Sequence, residues 1–314
     1  MSEQTSPVTT RQRLRLMGGV VSAAGALAAL AACGGGSSAT DPAAQTSPSS
    51  PAASSPAASS STDTGSSDGS SGATTTVPVY LLGDSPTGPR LFRDSAEVPQ
   101  DAPLTGAVQY LMSGRSADPD YRSAYHSGAF GDVTYDTQKG FTVALADDSL
   151  EQAGGMSKKE AMVAVQQLVY TLEAVQGTKN APVTVVADGA PTRLFGLNTA
   201  NGLEPVDELD VLNLVNVLSP GEGGEVSGSF VANGLASSPE ATVPWTVTDS
   251  KGKVVKKGFA TADGWMDKLY PWKATVDVSD LAPGDYTFTA STDDPSGGAE
   301  GHGPSKDTKT ITVS

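Results

Sequence analysis

The segment Leu281-Ala282-Pro283-Gly284-Asp285-Tyr286-Thr287-Phe288-Thr289-Ala290 decides how the C-terminal part of the chain is built. From Tyr286 onward, large apolar side chains alternate with threonine, the two-residue period of a strand with one buried face. Pro283-Gly284-Asp285 ahead of it has the composition of a turn. A tyrosine placed directly after such a turn can return its phenol to the preceding backbone, a tyrosine corner that pins one end of a two-sheet sandwich.

Working outward, the same period recurs upstream. Trp272, Ala274, Val276 and Val278 share one face, with Lys273, Thr275 and Asp277 on the other. Strands are expected at 211–218, 225–235, 241–248, 253–262, 272–278, 285–292 and 307–313, separated by turn sequences such as Asp249-Ser250-Lys251-Gly252. Seven strands and the corner indicate an immunoglobulin-like sandwich. The single cysteine of the chain, Cys33, rules out an antibody-type disulfide there.

Before the sandwich, the pattern mixes periods. Residues 77–82 read as a strand, and 101–113 as a short helix carrying Leu104, Val108 and Leu111 before Gly114. Residues 130–135 and 141–145 flank Asp136-Thr137-Gln138-Lys139-Gly140, a hairpin signal. A longer helix begins at Ser157, whose hydroxyl is placed to cap Glu160 while Glu160 reaches back, and it stops at Gly177. Ala161, Val165, Leu168, Val169, Leu172 and Val175 form its apolar stripe, and 183–187 follow as a strand closing on Asp188-Gly189. Each helix has one stripe to cover, so two helices on one face of a small sheet are expected. The domain boundary falls between Pro205 and Asp210, where Glu204, Asp207, Glu208 and Asp210 interrupt the apolar pattern.

Several of these pieces together resemble the GerMN domain of spore-germination lipoproteins and other bacterial envelope proteins. They are Val79-Tyr80-Leu81-Leu82, Ala107-Val108-Gln109-Tyr110-Leu111-Met112-Ser113-Gly114, Leu168-Val169-Tyr170-Thr171-Leu172 and Val183-Thr184-Val185-Val186-Ala187-Asp188-Gly189. The resemblance implies an α+β domain similar to the ring-building motifs of secretion assemblies. Downstream, Leu218-Ser219-Pro220, Gly228-Ser229-Phe230, the run from Pro239 to Trp245 and Pro283-Gly284-Asp285-Tyr286 resemble the immunoglobulin-like domain that accompanies GerMN domains.

Toward the N-terminus the composition changes. Residues 34–76 hold no Leu, Ile, Val, Met or aromatic residue. With no apolar surface to offset backbone ordering, the segment is expected to be a disordered tether, reaching roughly 35 Å as a random coil. Before it, Arg11, Arg13 and Arg15 precede the uncharged stretch 16–32, broken by Gly18, Gly19, Ser22 and Gly25 and short of a bilayer span. It ends in Leu30-Ala31-Ala32-Cys33-Gly34, which resembles the lipobox of bacterial lipoproteins and implies diacylglycerol on Cys33. The expected organisation is a signal peptide at 1–32, the lipidated Cys33 and linker at 33–76, the GerMN-like domain at 77–208 and the sandwich at 209–314.

The charge balance bears on partners. Asp and Glu number 35 against 20 Lys and Arg, which argues against a nucleic-acid binder. Removing residues 1–32 takes away three Arg and one Glu and moves the formal net charge from −15 to −17. An acidic body is not drawn to anionic lipid as a whole, so attachment to the membrane is expected through the acyl chains on Cys33.

Little in the chain reads as chemistry. Gly83-Asp84-Ser85 after a strand resembles the nucleophile block of GDSL esterases, but neither His126 nor His302 has the Asp three residues earlier that such an enzyme requires, so Ser85 reads as a turn residue. Ser250-x-x-Lys253 lies in a polar hairpin turn. Asp293, Asp294, Glu300 and His302, and the acidic run at 204–210, lack an EF-hand spacing and read as solvated loops. Trp265, Met266 and Tyr270 form the candidate interaction surface, for a protein or a glycan of the cell wall. The expectation is a non-catalytic envelope lipoprotein without cofactor or metal, lipid-anchored on the extracytoplasmic face and docking envelope proteins or wall polymer. The alternatives are a glycan-binding module centred on Trp265 and an esterase using Ser85.

Overall fold

A computed structural model describes residues 72–299 and 301–314, which fall in one compact unit. The expectations for Cys33, the signal peptide and residues 34–71 lie outside the described residues.

The first element is a long hairpin, β1 (Thr74–Ser85) antiparallel to β2 (Gly88–Pro99). The strand begins before Val77, where the apolar pattern starts, because Thr74 and Thr76 donate their hydroxyls to Glu97 on β2 at 2.9 and 2.6 Å. Cross-strand hydrogen bonds extend the ladder where no apolar side chain is needed. Along β1 both faces are buried. Val77, Val79 and Leu81 enter the core of the first domain, while Tyr80 and Leu82 enter a separate cluster.

Helix α1 (Pro103–Met112) follows, with Ala107, Val108 and Leu111 buried. Gly106 is required where this helix meets β2, since a Cβ there would stand 2.7 Å from the Cβ of Val98. Strands β3 (Phe130–Asp136) and β4 (Gly140–Leu145) form the expected hairpin. Helix α2 (Lys158–Gln176) then crosses to β5 (Val183–Ala187), which pairs parallel to β4 and turns into β6 (Ala190–Pro191). The short strands β7 (Arg193–Leu194) and β8 (Leu197–Asn198) pair with each other.

At the start of α2 the capping box forms: Ser157 Oγ accepts from Glu160 N, and Glu160 Oε2 accepts from Ser157 N at 2.8 Å. Gly177 ends the helix in the left-handed conformation at φ 69°. Burial on α2 goes beyond the expected stripe and includes Val163, Gln166, Gln167, Thr171 and Glu173. Two of the polar members bond to the backbone of β1. Thr171 Oγ1 accepts from Tyr80 N at 3.0 Å, and Gln167 Nε2 donates to Tyr80 O at 3.0 Å. The hairpin is thus bound to the helix by side-chain hydrogen bonds that an apolar periodicity does not reveal.

After helical turn α3 (Glu208–Val211), the sandwich runs through β9 (Val215–Ser219), β10 (Gly224–Val226), β11 (Ser229–Ala236), β12 (Thr242–Asp249), β13 (Val254–Thr261), β14 (Tyr270–Asp277), β15 (Gly284–Ser291) and β16 (Lys306–Val313). One sheet has the order β10-β16-β15-β12-β13, the other β14-β11-β9. Two expectations are corrected. Val211 does not open a strand, because Asp207 Oδ1 accepts from Leu209 N at 2.8 Å and caps α3 there. The expected strand 225–235 is two strands, β10 and β11, which belong to different sheets. The chain changes sheets at Gly228, whose φ of 59° suits glycine.

The sandwich core holds Val243, Val247, Trp272, Val276, Phe288, Ala290 and Ile311. Trp245 stacks on Phe288 with ring centroids 6.2 Å apart, and its ring covers Gly258. The tyrosine corner is present: Tyr286 OH donates to Ala282 O at 2.9 Å.

Candidate functional site: the domain junction and its surfaces

The α+β domain and the sandwich share a third cluster. Tyr80, Leu82, Leu91 and Val163 of the first domain meet Val211, Leu212 and Leu269 of the second. Backbone and side-chain hydrogen bonds cross the same seam. Asn213 N donates to Leu91 O at 2.8 Å and Arg93 N to Asn216 Oδ1 at 2.9 Å. Arg90 Nη1 donates to the carbonyls of Leu209 and Leu212 at 2.6 and 2.8 Å. Glu208, on the acidic run, accepts from Leu269 N.

The other side of the junction is ionic. Lys309 on β16 reaches Asp118 in the loop after α1, with Nζ 2.5 Å from Oδ2, and their side chains are only 4% and 2% exposed. The same ammonium donates to Tyr121 OH at 2.6 Å, lies 4.2 Å from the centre of that ring, and stands 3.5 Å from Asp307 Oδ1. Tyr121 OH donates to Asp307 Oδ1 at 2.6 Å, while Val217 N donates to Asp307 Oδ2 at 2.6 Å. At the rim, Thr308 Oγ1 donates to Asp120 Oδ2 at 2.7 Å.

Burial outweighs these favourable contacts at Asp307 and pushes its carboxyl up to about 6. Burial also raises Asp94, whose Oδ2 has no hydrogen-bond partner among the described residues. For Lys309, burial pulls the ammonium down, but Asp307, Asp118 and Asp94 together outweigh it and hold it above the ordinary lysine value. Tyr121 is raised far above a free phenol by burial and then by Asp307, so it stays a donor. One ammonium therefore serves three carboxylates at a closed seam. The sequence signal for this cluster is parity. Asp307 and Lys309 occupy the same alternating positions as the buried Ile311 and Val313.

The candidate interaction surface divides. Trp265 is 43% and Met266 68% exposed, on the loop that ends at the junction residue Leu269. Met266 takes the left-handed region at φ 83°, and its amide donates to Ser237 Oγ at 3.0 Å. Tyr270 is half-buried and packs against the sandwich core. Its hydroxyl donates to Asp267 Oδ1 at 2.8 Å, and its ring lies on Gly264, where a Cβ would approach to 2.6 Å. Tyr270 is thus less accessible than the exposed pair.

Ser85 Oγ donates to Gly88 O at 2.7 Å and accepts from Thr87 N, closing the β1–β2 turn. It borders an open cavity of about 400 Å³ together with Asp84 and His302. Beside it, a 480 Å³ cavity at the junction is lined by Asp84, Tyr121, Arg122, Lys306 and Asp307. Its Arg122–Asp84 pair, at 3.0 Å, is half or more exposed on both sides and contributes little. In the acidic loops, Asp294 Oδ1 accepts from the hydroxyl and amide of Ser296, which hold its carboxyl low, and Asp207 caps α3. Among the described residues, no three His, Cys, Asp or Glu side chains converge as a metal site, and no helix is long and apolar enough to cross a membrane.

Comparison with known proteins agrees with the two-domain reading. Residues 78–193 match the family described as sporulation and spore germination, and residues 214–299 match the immunoglobulin-like domain of bacterial spore germination. Among solved structures, the tandem GerMN domains of the sporulation protein GerM from Bacillus subtilis align over 67% of this chain and 63% of that one, with 13% identity and a TM-score of 0.34. CopC from Methylosinus trichosporium OB3b aligns over 32% of this chain and 92% of its own, with 21% identity and a TM-score of 0.22. Overlays this loose carry no argument about activity. A search of curated proteins gave no match. The described chain is a GerMN-type domain followed by the immunoglobulin-like domain of bacterial spore germination.

Proposed function

We propose that the chain is a non-catalytic envelope lipoprotein, held through Cys33 on the extracytoplasmic side of the membrane, that docks envelope proteins or wall polymer with its two domains acting as one body. The observation that carries this reading is the closed junction. Lys309, 4% exposed and held by Asp118, Tyr121 and Asp307, ties β16 of the sandwich to the first domain. A body joined in this way presents its surface in fixed geometry, as docking requires. Trp265 and Met266 supply an exposed apolar part of that surface. The matched families are germination-related domains, and Leu30-Ala31-Ala32-Cys33-Gly34 supplies the attachment point.

Metabolic labelling with palmitate, followed by fractionation, tests the placement. The expected result is a labelled chain in the membrane fraction, with Cys33→Ala unlabelled and released. An unlabelled wild-type chain in the cytosol would overturn it.

A further inference from the structure

Against its acidic background the sandwich carries a dense basic segment: Lys251, Lys253, Lys256 and Lys257 fall within seven residues at the β12–β13 hairpin. Asp249, across the turn, commits its Oδ1 to the amides of Lys251 and Lys253, at 2.9 Å each. Lys256 is paired with Asp280. Lys251, Lys253 and Lys257 remain exposed.

The surroundings of these lysines are apolar. β13 is an outer strand of the five-stranded sheet. Its register sets Val254 opposite Thr248, Lys257 opposite Thr246 and Phe259 opposite Pro244, whereas Trp245, Val247 and Ala260 belong to the core side. On the outward side, Val254 is 48% and Phe259 70% exposed. The outward positions of β12 and β13 in this register hold Thr242, Pro244, Thr246, Thr248, Val254, Lys257, Phe259 and Thr261, with no carboxylate among them.

We propose that this face is a contact site for an anionic phospholipid surface. Exposed lysines meet phosphate headgroups, and Phe259 and Val254 enter the headgroup boundary between them. Two features favour lipid over a soluble polyanion. A polyanion matches the charge but gives the two apolar side chains nothing to cover them, while a bilayer interface supplies both. The second rests on the proposed anchoring, which keeps the folded domains at a membrane surface. The acidic remainder of the body is repelled from the same surface, which leaves this edge as the one turned toward it.

The test uses the chain from residue 33 carrying Cys33→Ser, so that no acyl chain contributes and failure of the anchor reading leaves the result interpretable. Flotation with vesicles of phosphatidylcholine alone, and with vesicles containing phosphatidylglycerol, is measured at low and high salt. Binding to the anionic vesicles only, lost at high salt, is expected. The combined Lys251→Gln, Lys253→Gln and Lys257→Gln variant should bind about 100-fold more weakly, and Phe259→Ser roughly 10-fold more weakly. All four positions are exposed, and unchanged melting of the variants verifies their folding. No binding to anionic vesicles, equal binding by the triple variant, or equal affinity for soluble polyglutamate would overturn the proposal, the last assigning the face to an acidic polymer.

Discussion

On one side of the junction Leu82, Leu91, Val211, Leu212 and Leu269 close an apolar seam; on the other, Asp118, Tyr121, Asp307 and Lys309 close a charged one. The two sides respond differently to disturbance. The apolar side loses stability in proportion to the surface it uncovers, and the hydrogen bonds of Arg90, Arg93 and Asn213 across it fix its register. The ionic side responds more steeply. Any displacement that separates Lys309 from its partners leaves buried charge without compensation, at a cost of about 3 to 5 kcal/mol. The apolar seam supplies affinity between the domains, and the charged one adds a steep penalty for any shift that parts its charges.

The sharpest way to break this contrast is to remove one member from each side. Lys309→Met leaves Asp118 and Asp307 buried without their cation and is expected to destabilise the chain by about 4 kcal/mol. Leu91→Ala, at a fully buried position, should cost about 3 kcal/mol through lost burial and the cavity left behind. Urea denaturation reads both, and a Lys309→Met cost well below that of Leu91→Ala would mean the ionic side is incidental.

A smaller effect comes from pH. The folded-state pKa of Asp307, raised to about 6, lies above the ordinary carboxylate value near 4. Its contribution is therefore present in full below about pH 4 and is lost as pH rises through 6. The expected change is at most about 3 kcal/mol, and Asp307→Asn should flatten that part of the stability profile. The apolar seam contributes no such slope, so a wild-type profile flat between pH 4 and 6 would count against the charged description.

Much of the fold was legible because it is written in local patterns. The capping box at Ser157, the left-handed stop at Gly177, the hairpin at 136–140 and the corner at Tyr286 each need only a few neighbouring residues. What escaped was set by distant partners. Nothing near Gln166, Gln167 or Thr171 announces that β1 and the segment at 204–206 will use their side chains as hydrogen-bond partners. The split of 225–235 follows from two sheets competing for one stretch of chain, and only Gly228 hints at it. For the site, the sequence left Trp265 open between an exposed patch and packing across the sandwich end, and the half-buried placing of Tyr270 depends on Gly264 beneath its ring. The junction cluster carried a signal in the shared parity of Asp307, Lys309, Ile311 and Val313. Its meaning, two charges facing inward, becomes clear only with Asp118 and Tyr121 opposite.

If the two domains form one body through their junction, they unfold together. Scanning calorimetry of the whole chain is expected to show a single cooperative transition, with calorimetric and van't Hoff enthalpies equal. Two separate transitions in the wild-type chain, one for each domain, would contradict it.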